Sequence, residues 1–218
     1  MLKADLHIHT AYSSDGATSL EHVFARCRKM GLNCVAVTDH NTILGALRLR
    51  ELAPFTVIVG EEIDTLSGEI IGYFLTEEIP AKLSAEETAR RIKDQGGLVC
   101  IPHPFDRLRR SALRYQTLVK LLPNIDIIEV FNSRVLLTRH NLSARLFAQD
   151  HGLLASAGSD AHTASEIGDT YVVMPEFNDR EEFRLALAQG VFVCHKASPL
   201  VHVWSTLTRL RKRLKSRR

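Results

Sequence analysis

Two histidines stand two residues apart near the start of the chain, in Asp5-Leu6-His7-Ile8-His9. On a strand, residues so spaced point to one face, so both imidazoles can reach one metal ion. Asp15 follows on a Ser13-Ser14-Asp15-Gly16 turn and brings a hard oxygen ligand to the same place. Five further segments carry similar chemistry: Thr38-Asp39-His40-Asn41, Gly60-Glu61-Glu62, Ile101-Pro102-His103-Pro104, Ile128-Glu129-Val130-Phe131-Asn132 and Ser159-Asp160-Ala161-His162. Singly each is weak. A lone histidine is usually a surface or satisfied core residue, a Glu-Glu pair marks a solvated turn, and Asn after a strand starts a turn or caps a helix. Jointly they carry more, because His and carboxylates recur at the same point of successive β–α units. His22, His140 and His151 fall in helical segments and His202 in the C-terminal region, and all four are read as non-ligands.

Neutral imidazole suits zinc, manganese or iron, and carboxylates can bridge two ions. The convergent ligands exceed what one ion needs, so two or three divalent metals (Zn, Mn or Fe) are expected. Closely spaced ions clamp phosphoryl oxygens and generate hydroxide near neutral pH. That chemistry is hydrolysis, with phosphoesters ahead of amides.

The elements that must position these groups alternate. Strand patterns lie at Ala4–His9, Cys34–Thr38, Thr56–Ile63, Leu98–Pro102, Asp126–Phe131, Leu154–Ala157 and Tyr171–Met174. Helical patterns lie between and after them at Leu20–Met30, Ile43–Leu52, Ala85–Gln95, Arg114–Leu122, Arg139–His151 and Arg180–Ala188. Ile70–Leu75 reads as an antiparallel excursion from the third strand, because Ser67-Gly68 is a turn signal. Seven β–α repeats predict an α/β fold with parallel strands. A barrel is favoured over an open sheet, since ligands at the C-terminal ends of most strands converge only if the sheet closes. No glycine-rich dinucleotide or phosphate loop follows the first strand.

Composition sets the outer bounds. The chain of 218 residues fits a single domain, 1–218, with a basic C-terminal helix or tail at about 199–218. No apolar run approaches the roughly 18 residues of a membrane span, no secretory signal opens the chain, and four scattered cysteines form no Cys-x-x-Cys pair. A cytoplasmic protein with no membrane partner is the expectation. The net charge of +3 hides an asymmetry: residues 209–218 hold seven Lys/Arg and no acid, which leaves the remainder mildly acidic. That segment could touch nucleic acid or anionic lipid, or be a solvated amphipathic helix with Leu207, Leu210 and Leu214 on one face.

Taken in order, Asp5-Leu6-His7-Ile8-His9-Thr10 with Ser14-Asp15-Gly16, Thr38-Asp39-His40, Gly60-Glu61-Glu62, His103-Pro104, Glu129-Val130-Phe131-Asn132 and Ser159-Asp160-Ala161-His162 closely resemble the PHP (polymerase and histidinol phosphatase) family. The resemblance runs from residue 3 to about residue 175. It implies a distorted (β/α)7 barrel with a trinuclear metal site at the C-terminal strand ends. One metal would be held by His7, His9, Glu62 and Asp160. A second would share Glu62 and take His103 with a fifth-strand ligand, Glu129 being favoured over Asn132. A third would be held by Asp15, His40 and His162. Glu61 is then solvent-facing or supports the ligands from behind.

The resemblance further implies a stand-alone metal-dependent phosphoesterase working through a hydroxide that bridges the metals. Its substrates would be phosphomonoesters of small metabolites or nucleotides. An exonuclease or RNA-processing phosphodiesterase acting on short oligonucleotides is the alternative, and a non-catalytic metal-binding module a third. Arg134 could offer a positive fork to a phosphate, or simply start a helix. Asn132 and Lys196 are further candidates for substrate contact, and His195 for donating a proton to the leaving group. The arginines of the Phe105–Arg114 loop read as solvating an exposed loop.

Overall fold

Four-residue apolar runs such as Cys34-Val35-Ala36-Val37 and Leu98-Val99-Cys100-Ile101 are buried throughout, as expected of strands covered on both faces. The computed structural model describes residues 1–215. Among these residues nine strands form one sheet: β1 (Leu2–Ile8), β2 (Cys34–Val37), β3 (Thr56–Thr65), β4 (Gly68–Tyr73), β5 (Leu98–Ile101), β6 (Ile127–Asn132), β7 (Leu154–Gly158), β8 (Thr170–Met174) and β9 (Val191–Cys194). Their order is β7-β6-β5-β4-β3-β2-β1-β8-β9.

The ends of the β7–β1 stretch meet. Just past β7, Ala161 bridges to Ile8 in parallel, Asp160 N–H donates to His7 O at 2.8 Å and His9 N–H to Ala161 O at 2.8 Å. The buried Asp5 carboxylate accepts the backbone N–H groups of Ser159 and Gly168, each at 2.9 Å. A Cβ on Gly158 would lie 2.3 Å from His7 Cβ, so this closure requires glycine there. The result is a nearly closed seven-stranded barrel, β1 to β7, with β8 and β9 branching from β1.

Membership of the ring differs from the sequence expectation. Tyr171–Met174, read as the seventh parallel strand, pairs antiparallel with β1 and lies outside the ring. Its place is taken by β4, which runs antiparallel to both β3 and β5. The reversal occurs at Ser67-Gly68, where Gly68 has φ of +129° and a Cβ would meet Leu113 Cα at 2.5 Å. The antiparallel excursion is therefore present, starting two residues earlier than the pattern indicated.

Among the described residues seven α-helices connect or follow the strands: α1 (Leu20–Met30), α2 (Leu44–Leu52), α3 (Ala85–Asp94), α4 (Tyr115–Leu121), α5 (Thr138–Asp150), α6 (Arg180–Ala188) and α7 (Val201–Lys215). Their starts follow local chemistry. Ser19, Ser84 and Asp179 cap α1, α3 and α6 by accepting N–H groups of His22, Glu87 and Glu182. One core layer packs Val35, Val37, Val57, Val59, Ile128 and Val130 against the helices, while Leu6, Ala36, Ile58, Ile71, Cys100 and Ile127 form a second. Among the described residues no helix is long and apolar enough to cross a membrane.

Candidate metal centre

The alternation of β1 breaks between Asp5 and Ile8, and that of β6 between Glu129 and Phe131, where the ladders shift register. Such bulges re-aim side chains, and both occur at the ends that carry candidate ligands. The turns beyond the strands add backbone strain. Asn41, His103 and Asp160 hold φ of +55°, +31° and +54°, a region non-glycine residues enter at a cost.

The strand ends converge. His7 Nε2 and His9 Nε2 lie 3.2 Å apart. Glu62 Oε2 lies 3.5 Å from His7 Nε2, 3.3 Å from His9 Nε2 and 3.4 Å from His40 Nδ1. Asp160 Oδ1 lies 3.6 Å from His7 Nε2 and 3.3 Å from His9 Nε2. His103 Nε2 is 3.1 Å from Glu62 Oε1. Asp15 lies between His162 Nε2, 3.3 Å from its Oδ1, and His40 Nε2, 3.6 Å from its Oδ2. Among the described residues, three groups have ligand atoms close enough to share an ion: His9, Asp15, His40 and His162; His7, His9 and Glu62; and His40, Glu62 and Glu69.

Divalent metal fits these residues on the structure's own terms. Glu62 Oε2, Asp160 Oδ1, Glu69 Oε2 and His40 Nδ1 are buried without a hydrogen-bond partner, and unpaired buried polar atoms are costly. Mixed imidazole and carboxylate donors suit Zn, Mn or Fe. The charges are already polarised. Burial alone would raise Glu62, yet His7 and His40 hold it well below the carboxylate range. Asp160 is likewise lowered against its burial, by Arg109 and His7. Burial, with His9 and Arg134 nearby, pushes His162 down to about 3 and leaves it a neutral donor.

Glu129 takes a different place. Its Oε1 lies 2.9 Å from His7 Nδ1, the ring nitrogen facing away from the cluster, while its Oε2 accepts His103 N–H at 2.8 Å and Asn132 Nδ2–H at 2.9 Å. Like His103 and Asp160 it stands outside the three ligand groups, and its Oε1 meets His7 from behind, as carboxylates do for metal-binding histidines. Asn132 also donates to Asp160 Oδ2 at 3.2 Å, so its amide ties two carboxylates together. Glu61 is buried rather than solvent-facing. Its Oε2 accepts Ile79 N–H at 2.9 Å, and burial with Glu78 nearby pushes it up to about 7.

A cavity of about 520 Å³ opens over the cluster, lined by Asp15, His40, Glu69, Arg109, Arg110, Arg134, His162 and, from α7, Ser205, Thr206 and Arg209. Arg134 is buried, with Nη1 2.6 Å from His162 Nδ1 and Nη2 donating to Val201 O at 2.8 Å and Ser205 Oγ at 3.0 Å. Arg109 does not merely solvate its loop, as its sequence context suggests. Instead its Nη2 lies 2.6 Å from Asp160 Oδ2. Arg209 pairs with Asp15. Lys196 and His195 do not line this cavity. They follow β9 on the outer branch of the sheet, where Lys196 Nζ donates to Leu136 O and His195 Nδ1 faces Asp169 O.

Of the histidines read as non-ligands, His22 contacts its cap Ser19, His140 sits 3.3 Å from Asp106 and His151 packs on Phe147. The side chain of His202 lies outside the described residues. Sequence reasoning missed Glu69. It lies opposite Asp64 in the β3–β4 ladder and hence on the face of Glu62, so alternation across the hairpin could have found it. Arg109 lies in a loop with no periodicity to point to it.

The family model described as PHP domain matches residues 5–182. An uncharacterised protein of Methanocaldococcus jannaschii is 38% identical over 180 residues, covering 81% of this chain and 72% of that protein. A two-domain protein of Bacteroides vulgatus, described as containing a predicted PHP-like metal-dependent phosphoesterase, superposes with a TM-score of 0.72 at 22% identity, over 89% of this chain and 65% of that one. A lesion-specific endonuclease of Pyrococcus furiosus gives a TM-score of 0.60 at 17% identity, over 86% of this chain and 56% of that one. At these identities the solved structures establish the barrel fold.

Proposed function

The chain belongs to the PHP domain family, and from that premise we propose that it is a metal-dependent phosphoesterase hydrolysing phosphomonoesters of small metabolites or nucleotides in the cytoplasm. The observation that carries this reading is the set of three adjoining ligand groups beneath a cavity edged by arginines. His7, His9, Glu62 and Asp160 would hold one ion. Glu62, His103, His40 and Glu69 surround a second position, and Asp15, His40 and His162 a third. Bound divalent ions would activate water near neutral pH and polarise phosphoryl oxygens.

The chain's own residues do the rest. Glu129 holds the His7 ring so that Nε2 faces the cluster. Arg109 and Asn132 keep Asp160 ionised and fixed in orientation. Arg110 and Arg134 edge the cavity, where guanidinium groups match phosphate oxygens in charge and geometry. Ser205, Thr206 and Arg209 of α7 form one wall of the 520 Å³ cavity, a volume that suits a small-molecule ligand.

The second reading, a phosphodiesterase on short oligonucleotides, draws on the basic α7 segment and on the endonuclease among the fold neighbours. A metal-supplemented screen of phosphomonoesters, nucleotides and short oligonucleotides separates the two. Release of phosphate from monoesters with weak salt dependence supports the first. Oligonucleotide cleavage whose binding falls steeply with salt supports the second.

A further inference from the structure

A surface helix normally turns its apolar stripe to the core. Helix α7 does the opposite. Its inward face is polar: Arg209 pairs with Asp15, Lys212 Nζ donates to Ala11 O and Ser13 O, and Ser205 and the Val201 carbonyl meet Arg134. Its outward face, continued from the preceding turn, carries Leu200, Trp204, Leu207, Leu210 and Leu214 at helical spacing, all exposed, with Trp204 58% and Leu214 67% accessible. Arg211 stands within that stripe, also exposed.

We propose that this face is a docking surface for an anionic lipid bilayer. The chemistry selects that occupant. A second copy of α7 would bury Arg211 in an apolar seam, where residues 199–218 offer no acid to pair with it. A nucleic acid would pair with Arg211 but leave five large apolar side chains in water. An anionic bilayer satisfies both: leucine and tryptophan enter the headgroup boundary while Arg211 snorkels to phosphate. The expectation of no membrane partner rested on the absence of a spanning segment, which surface docking does not need. The proposal is independent of the reaction catalysed.

The chain has a single tryptophan, so Trp204 reports its own docking. The full-length protein is mixed with vesicles of phosphatidylcholine alone or with one-third phosphatidylglycerol, and binding is read by flotation and Trp204 emission. The expected result is a blue shift and flotation with anionic vesicles only, weakened about tenfold or more by Leu207→Glu or by Arg211→Glu. Both substitutions point outward, and unchanged thermal melting confirms that they leave the fold intact. Absence of vesicle binding by the wild type overturns the proposal. So does binding unaffected by either substitution, a blue shift that instead tracks protein concentration and dimer formation, or an oligonucleotide that binds while vesicles do not.

Discussion

Arg209 and a metal ion want the same oxygen. Asp15 Oδ1 accepts Ser13 Oγ–H at 3.0 Å and lies 3.3 Å from His162 Nε2, whereas Oδ2 faces His40 Nε2 and the Arg209 guanidinium. A divalent ion held by Asp15, His40 and His162 must therefore share or displace that cation. The Arg209 side chain is 48% exposed against 2% for Asp15, so solvent screens the pair and its worth is that of a surface ion pair, about 0.5–1 kcal/mol. Arg209→Ala should thus strengthen metal binding at this position by about two- to fivefold at low salt. The gain should vanish near ~0.5 M salt, where screening removes the competition. Isothermal titration with Zn²⁺ or Mn²⁺ at two ionic strengths measures it. Affinity in the variant equal to or below wild type at low salt refutes the competition and makes the α7 contact a support of the site.

Two further perturbations probe the groups behind the ligands. Glu129→Gln should lower metal affinity by about 10–100-fold while leaving the number of bound ions unchanged; loss of a whole equivalent by elemental analysis would instead make Glu129 a ligand. Glu61 has its pKa raised from 4.5 to about 7 by burial, so the folded state holds a proton that the unfolded state has released between those values. Its stability contribution is complete below pH 4.5 and is lost as pH rises through 7, by about 3 kcal/mol at most. Glu61→Gln should then match wild type near pH 4.5 and exceed it at pH 8 in urea denaturation of the metal-free protein. Equal stability of the two proteins at both pH values would refute the burial argument.

Much of the centre is legible in the sequence because its donors sit where strands end. His7, His9, Asp15, His40, Glu62, His103, Asp160 and His162 are all quoted by that rule, and all have donor atoms in or beside the cluster. What sequence hides is direction and side. The strand pattern at Tyr171–Met174 is correct, but its alternation is blind to orientation. The eleven residues between Gly158 and Thr170 form no helix, and a parallel crossover needs a dozen or more; that shortness was the available clue. The leucine stripe of α7 is equally plain, yet its outward placement depends on Arg134 and the Asp15 turn, far away in sequence. Glu129 sits at a strand end like the ligands. Only the positions of His7 Nδ1 and His103 N–H show that its oxygens are already engaged.

If these strand ends form a multinuclear metal centre that hydrolyses phosphoesters, metal and turnover must come and go together. The most direct measurement strips the protein with chelator, restores Mn²⁺, Zn²⁺ or Fe²⁺ separately, and follows phosphate release from a panel of phosphomonoesters and nucleotides, beside His9→Ala. His9 Nε2 lies within 3.3 Å of both Glu62 and Asp160, so its loss should remove metal and turnover together. Activity should disappear on chelation, return with at least one of these ions and be absent from His9→Ala. Turnover that survives chelation, or a His9→Ala protein as active as wild type, would contradict this.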